Sequence, residues 1–82
     1  MIDVVYFAWV RERIGVPREG IETSAVTVMD LVDELKSRDA RYDFAFSDLD
    51  SLRVALDQEL VDFDAPLAGA GEVAFFPPMT GG

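Results

Sequence analysis

The run Ile2-Asp3-Val4-Val5-Tyr6-Phe7-Ala8-Trp9-Val10 is rich in β-branched and aromatic residues and predicts a strand. Period-two spacing puts Ile2, Val4, Tyr6 and Ala8 on one face, and Asp3, Val5, Phe7 and Trp9 on the other. Both faces are largely apolar, which suits a central strand and leaves Phe7 and Trp9 in need of a cover. Arg11-Glu12-Arg13-Ile14-Gly15 then predicts a short helical turn, stopped by Gly15 and Pro17. Ile21-Glu22-Thr23 reads as a second strand, paired back on the first as a hairpin.

The clearest helix opens at Thr27. Its hydroxyl can cap, Asp30 three residues on approximates a capping box, and Val28, Leu31, Val32 and Leu35 follow helical spacing. Asp30, Asp33 and Glu34 precede Lys36 and Arg38, the order that the helix dipole favours. Residues 39–50 fit two periods: Tyr42, Phe44 and Phe46 alternate as in a strand, while Tyr42, Ala45, Phe46 and Leu49 share a helical face. A short helix or structured loop with its aromatics in the core is the favoured reading. Leu52-Arg53-Val54-Ala55-Leu56 is a strand by alternation, with Leu52, Val54 and Leu56 inward. Asp57-Gln58-Glu59 turns into the short segment Leu60-Val61-Asp62-Phe63, and residues 64–71 are loop. Glu72-Val73-Ala74-Phe75-Phe76 is the last strand; with Val73 and Phe75 inward, Ala74 and Phe76 face out.

The first and last strands are the most apolar, so both belong at the centre of one mixed sheet. Joined through a helix, they can lie parallel by a right-handed crossover, with the single main helix covering one face. That α+β arrangement is a β-grasp, the ubiquitin-like roll, expected over residues 1–76, with residues 77–82 as an extended tail. The opposite face carries Phe7, Trp9, Ala74 and Phe76, joined by Leu60. Such an apolar patch either docks a protein or is covered by the segment from Asp39 to Leu49.

Composition narrows the chemistry. The chain has 82 residues, half of them apolar, enough for one domain on a single core. It has no cysteine and no histidine, which removes disulfides, thiol nucleophiles, thiolate metal sites and the usual general base. The net charge is −9, which repels phosphate backbones and argues against nucleic acid; it would suit a partner with a basic face. The apolar run from Ile2 to Val10 is broken by Asp3 and falls far short of the ~20 residues of a membrane span. No membrane association and a cytoplasmic location are therefore expected. Asp48 with Asp50, or Asp57 with Glu59, could in principle pair, but they lack calcium-loop spacing and read as solvated turn residues. Gly69-Ala70-Gly71 lacks the helix and lysine of a phosphate loop. No metal site is expected, and no set of residues makes a self-sufficient active site.

What remains is the tail. Pro77 and Pro78 fix φ and remove two donors, so the chain leaves the last strand as a stiff extended spacer. From Pro77 through Met79, Thr80 and Gly81 to Gly82 it could reach roughly 20 Å, at about 3.3–3.6 Å per residue. Two glycines without Cβ pass a narrow channel at little steric cost. The carboxylate of Gly82 is then the expected reactive group; the other reading of the same residues is a frayed chain end.

The ending Val73-Ala74-Phe75-Phe76-Pro77-Pro78-Met79-Thr80-Gly81-Gly82 resembles the C-terminal signature of the small subunits of molybdopterin synthase, the MoaD-type sulfur carriers. The resemblance extends to Tyr6-Phe7-Ala8-Trp9-Val10-Arg11-Glu12, the helix from Thr27, Val54-Ala55-Leu56-Asp57-Gln58-Glu59 and Phe63-Asp64-Ala65-Pro66-Leu67. Many relatives carry Asn where Asp57 stands, and Asp-Gly-Asp in place of Gly69-Ala70-Gly71. The resemblance implies a non-catalytic carrier subunit. Gly82 would be adenylated with ATP by a MoeB-type enzyme, converted to a thiocarboxylate by a sulfur donor, and used to sulfurate cyclic pyranopterin monophosphate. It also implies a heterotetramer with a MoaE-type large subunit that supplies acid–base residues, takes in residues 77–82 and docks on Phe7, Leu60 and Phe76. No cofactor is expected on the chain itself. Two rival readings share the Gly-Gly end: a carrier for another pathway such as thiazole synthesis, and a ubiquitin-like modifier conjugated through Gly82.

Overall fold

A computed structural model of the protein describes residues 1–78. Strand β1 (Ile2–Tyr6) buries Ile2, Val4 and Tyr6, as the alternation predicts. It ends at Tyr6, earlier than expected. The Phe7 N–H makes the last rung, donating to the Phe75 carbonyl at 3.1 Å, and Ala8 then turns the chain with φ +53°. Ala8–Ile14 is helix α1, not strand, because Val10 and Ile14 are buried at i,i+4 spacing on one helical face. Gly15 ends it with φ +99°, a conformation costly for residues with a Cβ, and donates to the Arg11 carbonyl at 2.8 Å.

Strand β2 (Arg18–Ile21) runs antiparallel to β1, with Ile21 opposite Ile2 and Glu19 opposite Val4. It lies upstream of the 21–23 segment expected from the sequence. The hairpin register decides this, because pairing Ile21 with Ile2 buries both.

Helix α2 (Val28–Arg38) starts where expected. The Thr27 hydroxyl accepts the Asp30 N–H at 3.2 Å, and the Asp30 carboxylate accepts the Thr27 N–H at 3.2 Å. Two further end groups find long-range partners: Val28 and Met29 donate to the carbonyls of Ala65 and Phe63, at 3.0 and 2.8 Å. Val28, Leu31, Val32 and Leu35 are all buried. Helix α3 (Ala40–Ala45) follows, capped by Asp39, and packs against α2 and α1. Tyr42, Ala45 and Phe46 enter the core, whereas Phe44, expected inside, is 58% exposed. The helical layer holds three helices, with α2 the main one, and the 39–49 segment joins it instead of covering the other sheet face.

A 3-10 turn (Leu49–Ser51) leads into β3 (Arg53–Leu56), which pairs with β4 (Glu59–Val61). Asp57 and Gln58 connect them with φ +48° and +73°, the two positive values of a type I′ hairpin turn. Leu52 and Val54 are buried as expected; Leu56 is only half-buried. Strand β5 (Glu72–Phe76) sits between β1, to which it is parallel, and β3, to which it is antiparallel. The sheet order is β2-β1-β5-β3-β4. This is the expected β-grasp with first and last strands central. The Phe75 ring anchors the core, stacked on Tyr6 at 6.3 Å and meeting Phe46 edge-on at 4.9 Å.

Candidate docking face and tail root

With Val73 and Phe75 fully buried under the helices, Ala74 and Phe76 necessarily point from the other side of β5. Register extends that face: Val5 lies beside Ala74, Ala74 beside Ala55, and Ala55 beside Leu60. Ala55 and Ala74 form the floor of a shallow hollow of about 470 Å³, bordered by Phe7, Gln58, Glu72 and Phe76. Phe7 and Leu60 stand 47% and 65% exposed on the same side. Small side chains below and large apolar ones around them make a surface that a complementary protein can fill.

Trp9 is not on this face. Its expected place there requires the first strand to reach Val10; on α1 it turns instead toward Phe44 and Arg13. Ala55 and Gln58 belong to the hollow although sequence reasoning passed them over. Alternation along β3 already marks Ala55 as opposite to Val54, whereas Gln58 reaches the hollow only through the hairpin turn.

Asp57 controls how β5 begins. Its carboxylate accepts the N–H groups of Gly71 and Glu72, each at 3.0 Å to Oδ1, while its own N–H donates to the Glu72 carbonyl at 3.0 Å. Asp57 is therefore a clamp between the hairpin turn and the last strand, more than the solvated turn residue expected. At the far end of that strand stand Phe76, then Pro77 and Pro78, both half-buried and outside regular structure. Met79, Thr80, Gly81 and Gly82, named above as tail and reactive terminus, lie outside the described residues.

The titratable groups that are most perturbed are structural. Glu19 Oε2 accepts the hydroxyls of Tyr6, at 2.7 Å, and Tyr42, at 2.6 Å. Burial, then the Glu19 carboxylate, pushes the Tyr6 phenol far above its usual range and the Tyr42 phenol up to about 12. Both stay protonated donors near neutral pH, tying β1 and α3 to β2. Among the described residues no group of three or more acidic, His or Cys side chains could hold a metal. None of their helices is long and apolar enough to cross a membrane.

The ThiS family model matches residues 4–82. The chain belongs to the ThiS family. It is 42% identical to the molybdopterin synthase sulfur carrier subunit of Escherichia coli over the whole length of both chains. The Haemophilus influenzae protein of the same name is 33% identical, again end to end. Among solved structures, the "Putative molybdopterin converting factor, subunit 1" of Pyrococcus furiosus superposes with a TM-score of 0.74 at 31% identity. That likeness covers 95% of this chain and 97% of the other. SAMP1 of Haloferax volcanii gives 0.73 at 23% identity, over 99% and 98% of the two chains, and shows the shared ubiquitin-like β-grasp fold.

Proposed function

We propose that this ThiS-family chain is the sulfur carrier subunit of a molybdopterin synthase, acting in the cytoplasm and in company with a large subunit. The observation that carries the reading is the end-to-end 42% identity to a carrier subunit, in a chain whose sequence closes on Phe-Phe-Pro-Pro-Met-Thr-Gly-Gly.

The chemistry asked of the chain is small. A carboxylate is a poor acyl electrophile, so a MoeB-type enzyme first joins the Gly82 carboxyl to the adenylyl group of ATP and releases pyrophosphate. A sulfur donor equivalent to sulfide attacks that carbonyl, AMP leaves, and a thiocarboxylate remains. In the MoaE-type large subunit its sulfur attacks an oxygen-bearing carbon of cyclic pyranopterin monophosphate, that carbon–oxygen bond breaks and the oxygen departs, water cleaves the acyl–sulfur bond, and the carboxylate returns. Repetition builds the dithiolene, within a heterotetramer in which the large subunit brings the acid–base groups. The chain binds no cofactor of its own in this scheme; ATP and the sulfur donor are handled by the activating enzyme.

The chain's own contribution is presentation. The face around Phe7, Leu60 and Phe76 gives a partner something to grip, next to the point where the chain leaves β5 at Pro77. Diproline limits the conformations that Pro77 and Pro78 lose on insertion.

Intact-mass measurement after incubation with a MoeB-type enzyme, ATP and a sulfur source tests this directly. Replacement of one oxygen by one sulfur is the expected product, and deletion of Gly82 should abolish it while leaving the circular dichroism spectrum unchanged. Conjugates on other proteins with no thiocarboxylate would overturn the reading in favour of a modifier.

A further inference from the structure

Trp9, Arg13 and Phe44 form a cluster on the helical layer that the docking face does not use. Trp9 and Arg13 stand one turn apart on α1, and Phe44 projects from α3. The Arg13 Cζ lies 4.4 Å from the centroid of the Trp9 ring and 4.4 Å from that of Phe44. The guanidinium thus lies over both aromatic rings, an arrangement favoured electrostatically.

We propose that this cluster is a second interaction site, which binds a single carboxylate carried on an apolar segment of a partner protein. With its Cζ 4.4 Å from each ring centroid, the guanidinium packs against both rings and still carries five N–H donors for a ligand. Among the described residues, Arg18, Arg38 and Arg41 each meet a carboxylate of this chain, at 3.2, 3.2 and 3.8 Å, and Arg53 donates to two carbonyls. Arg13 has its rings and, among the described residues, no such acceptor. Contact with the two rings already restricts its side chain, which lessens the ordering that opposes an arginine contact.

The surroundings choose the ligand. Beside the clamp is a hollow of about 580 Å³, lined also by Ser47, Asp48 and Ser51. The two hydroxyls are engaged as donors, Ser47 to the Phe44 carbonyl and Ser51 to Asp48 Oδ2. Asp48 also lines the hollow, on a chain of net charge −9, which disfavours a phosphate dianion more than one carboxylate. Phe44 is 58% exposed, so a bare anion would leave its ring wet, whereas an apolar segment would cover it. Arginine with exposed aromatics is also the composition that concentrates binding energy in protein interfaces. This site shares no lining residue with the sheet-face hollow, so one partner or two could use both surfaces.

The experiment uses Trp9, the only tryptophan of the chain, as reporter. The full chain is titrated with the peptides acetyl-Phe-Glu-Phe-amide and acetyl-Phe-Gln-Phe-amide, and separately with inorganic phosphate. Saturable change in Trp9 emission, with the glutamate peptide at least about fivefold tighter than the glutamine one, is the expected result. Amide shifts of Ser47 and Asp48, read by NMR in parallel, should move with the same affinity. In Arg13→Gln those shifts should no longer distinguish the two peptides, and Arg13→Lys should recover only part of the preference. Equal binding of both peptides, an unaltered preference in Arg13→Gln, or tighter binding of phosphate would overturn the proposal.

Discussion

The carboxylate of Asp57 reaches across fourteen positions of sequence to accept the Gly71 N–H at 3.0 Å. Asp57 also occupies φ +48°, a region that Asn and Asp tolerate better than other residues with side chains. One residue thereby closes the β3–β4 hairpin and sets where the last strand begins.

Removing that acceptor should be felt in stability. Asp57→Ala leaves the N–H groups of Gly71 and Glu72 to solvent and puts alanine in a left-handed position; a loss of about 1–2 kcal/mol is expected. Asp57→Asn keeps a carbonyl-type acceptor and the tolerance for positive φ, and should stay within about 0.5 kcal/mol of the parent. Urea unfolding measures both. Equal stability of the parent and the alanine variant would mean that the clamp contributes nothing.

The two tyrosines on Glu19 give the fold an alkaline limit. Tyr42 titrates at about 12 in the folded protein against 10.0 for an ordinary phenol. The folded state therefore holds that proton more tightly than the unfolded state. The resulting stabilisation is complete below pH ~10 and is lost as pH rises toward ~12. Thermal midpoints should fall across that window, and Tyr42→Phe, less stable near neutrality, should fall less steeply there. Parallel curves for the two proteins would contradict this account of the hydroxyl pair.

The docking face makes a sharper prediction. Phe76 leaves β5 on the side away from the core, next to the root of the tail. Phe76→Asp should leave the helical and sheet signals unchanged but weaken binding to the large subunit by about tenfold or more. Calorimetric titration against that subunit reads the effect; unchanged affinity would place the interface elsewhere.

Comparison of particular elements explains what could be read in advance. The helix at Thr27 was legible to the residue because a capping box and a buried stripe are written within eleven or so neighbouring positions. The inward and outward sides of Glu72–Phe76 followed from alternation alone. The stretch Ala8–Val10 misled because β-branched and aromatic residues fit a strand locally, while burial of Val10 and Ile14 on one helical face outweighed that preference. Phe44 misled because two periods fit the same residues, and only the packing of α3 against α1 put that ring outside.

By itself, the order of residues determined the features whose interactions are local: the main helix, the two central strands and the diproline that follows the last of them. Tertiary structure decided which distant residues became neighbours. It brought Ala55 beside Ala74, gave Glu19 two phenols, set Asp57 against the start of the last strand, and laid Arg13 over two rings. The division has one physical reason. Hydrogen bonds and side-chain periods within a few residues depend on neighbouring dihedral angles, whereas long-range contacts depend on strand register and on how helices settle over the sheet.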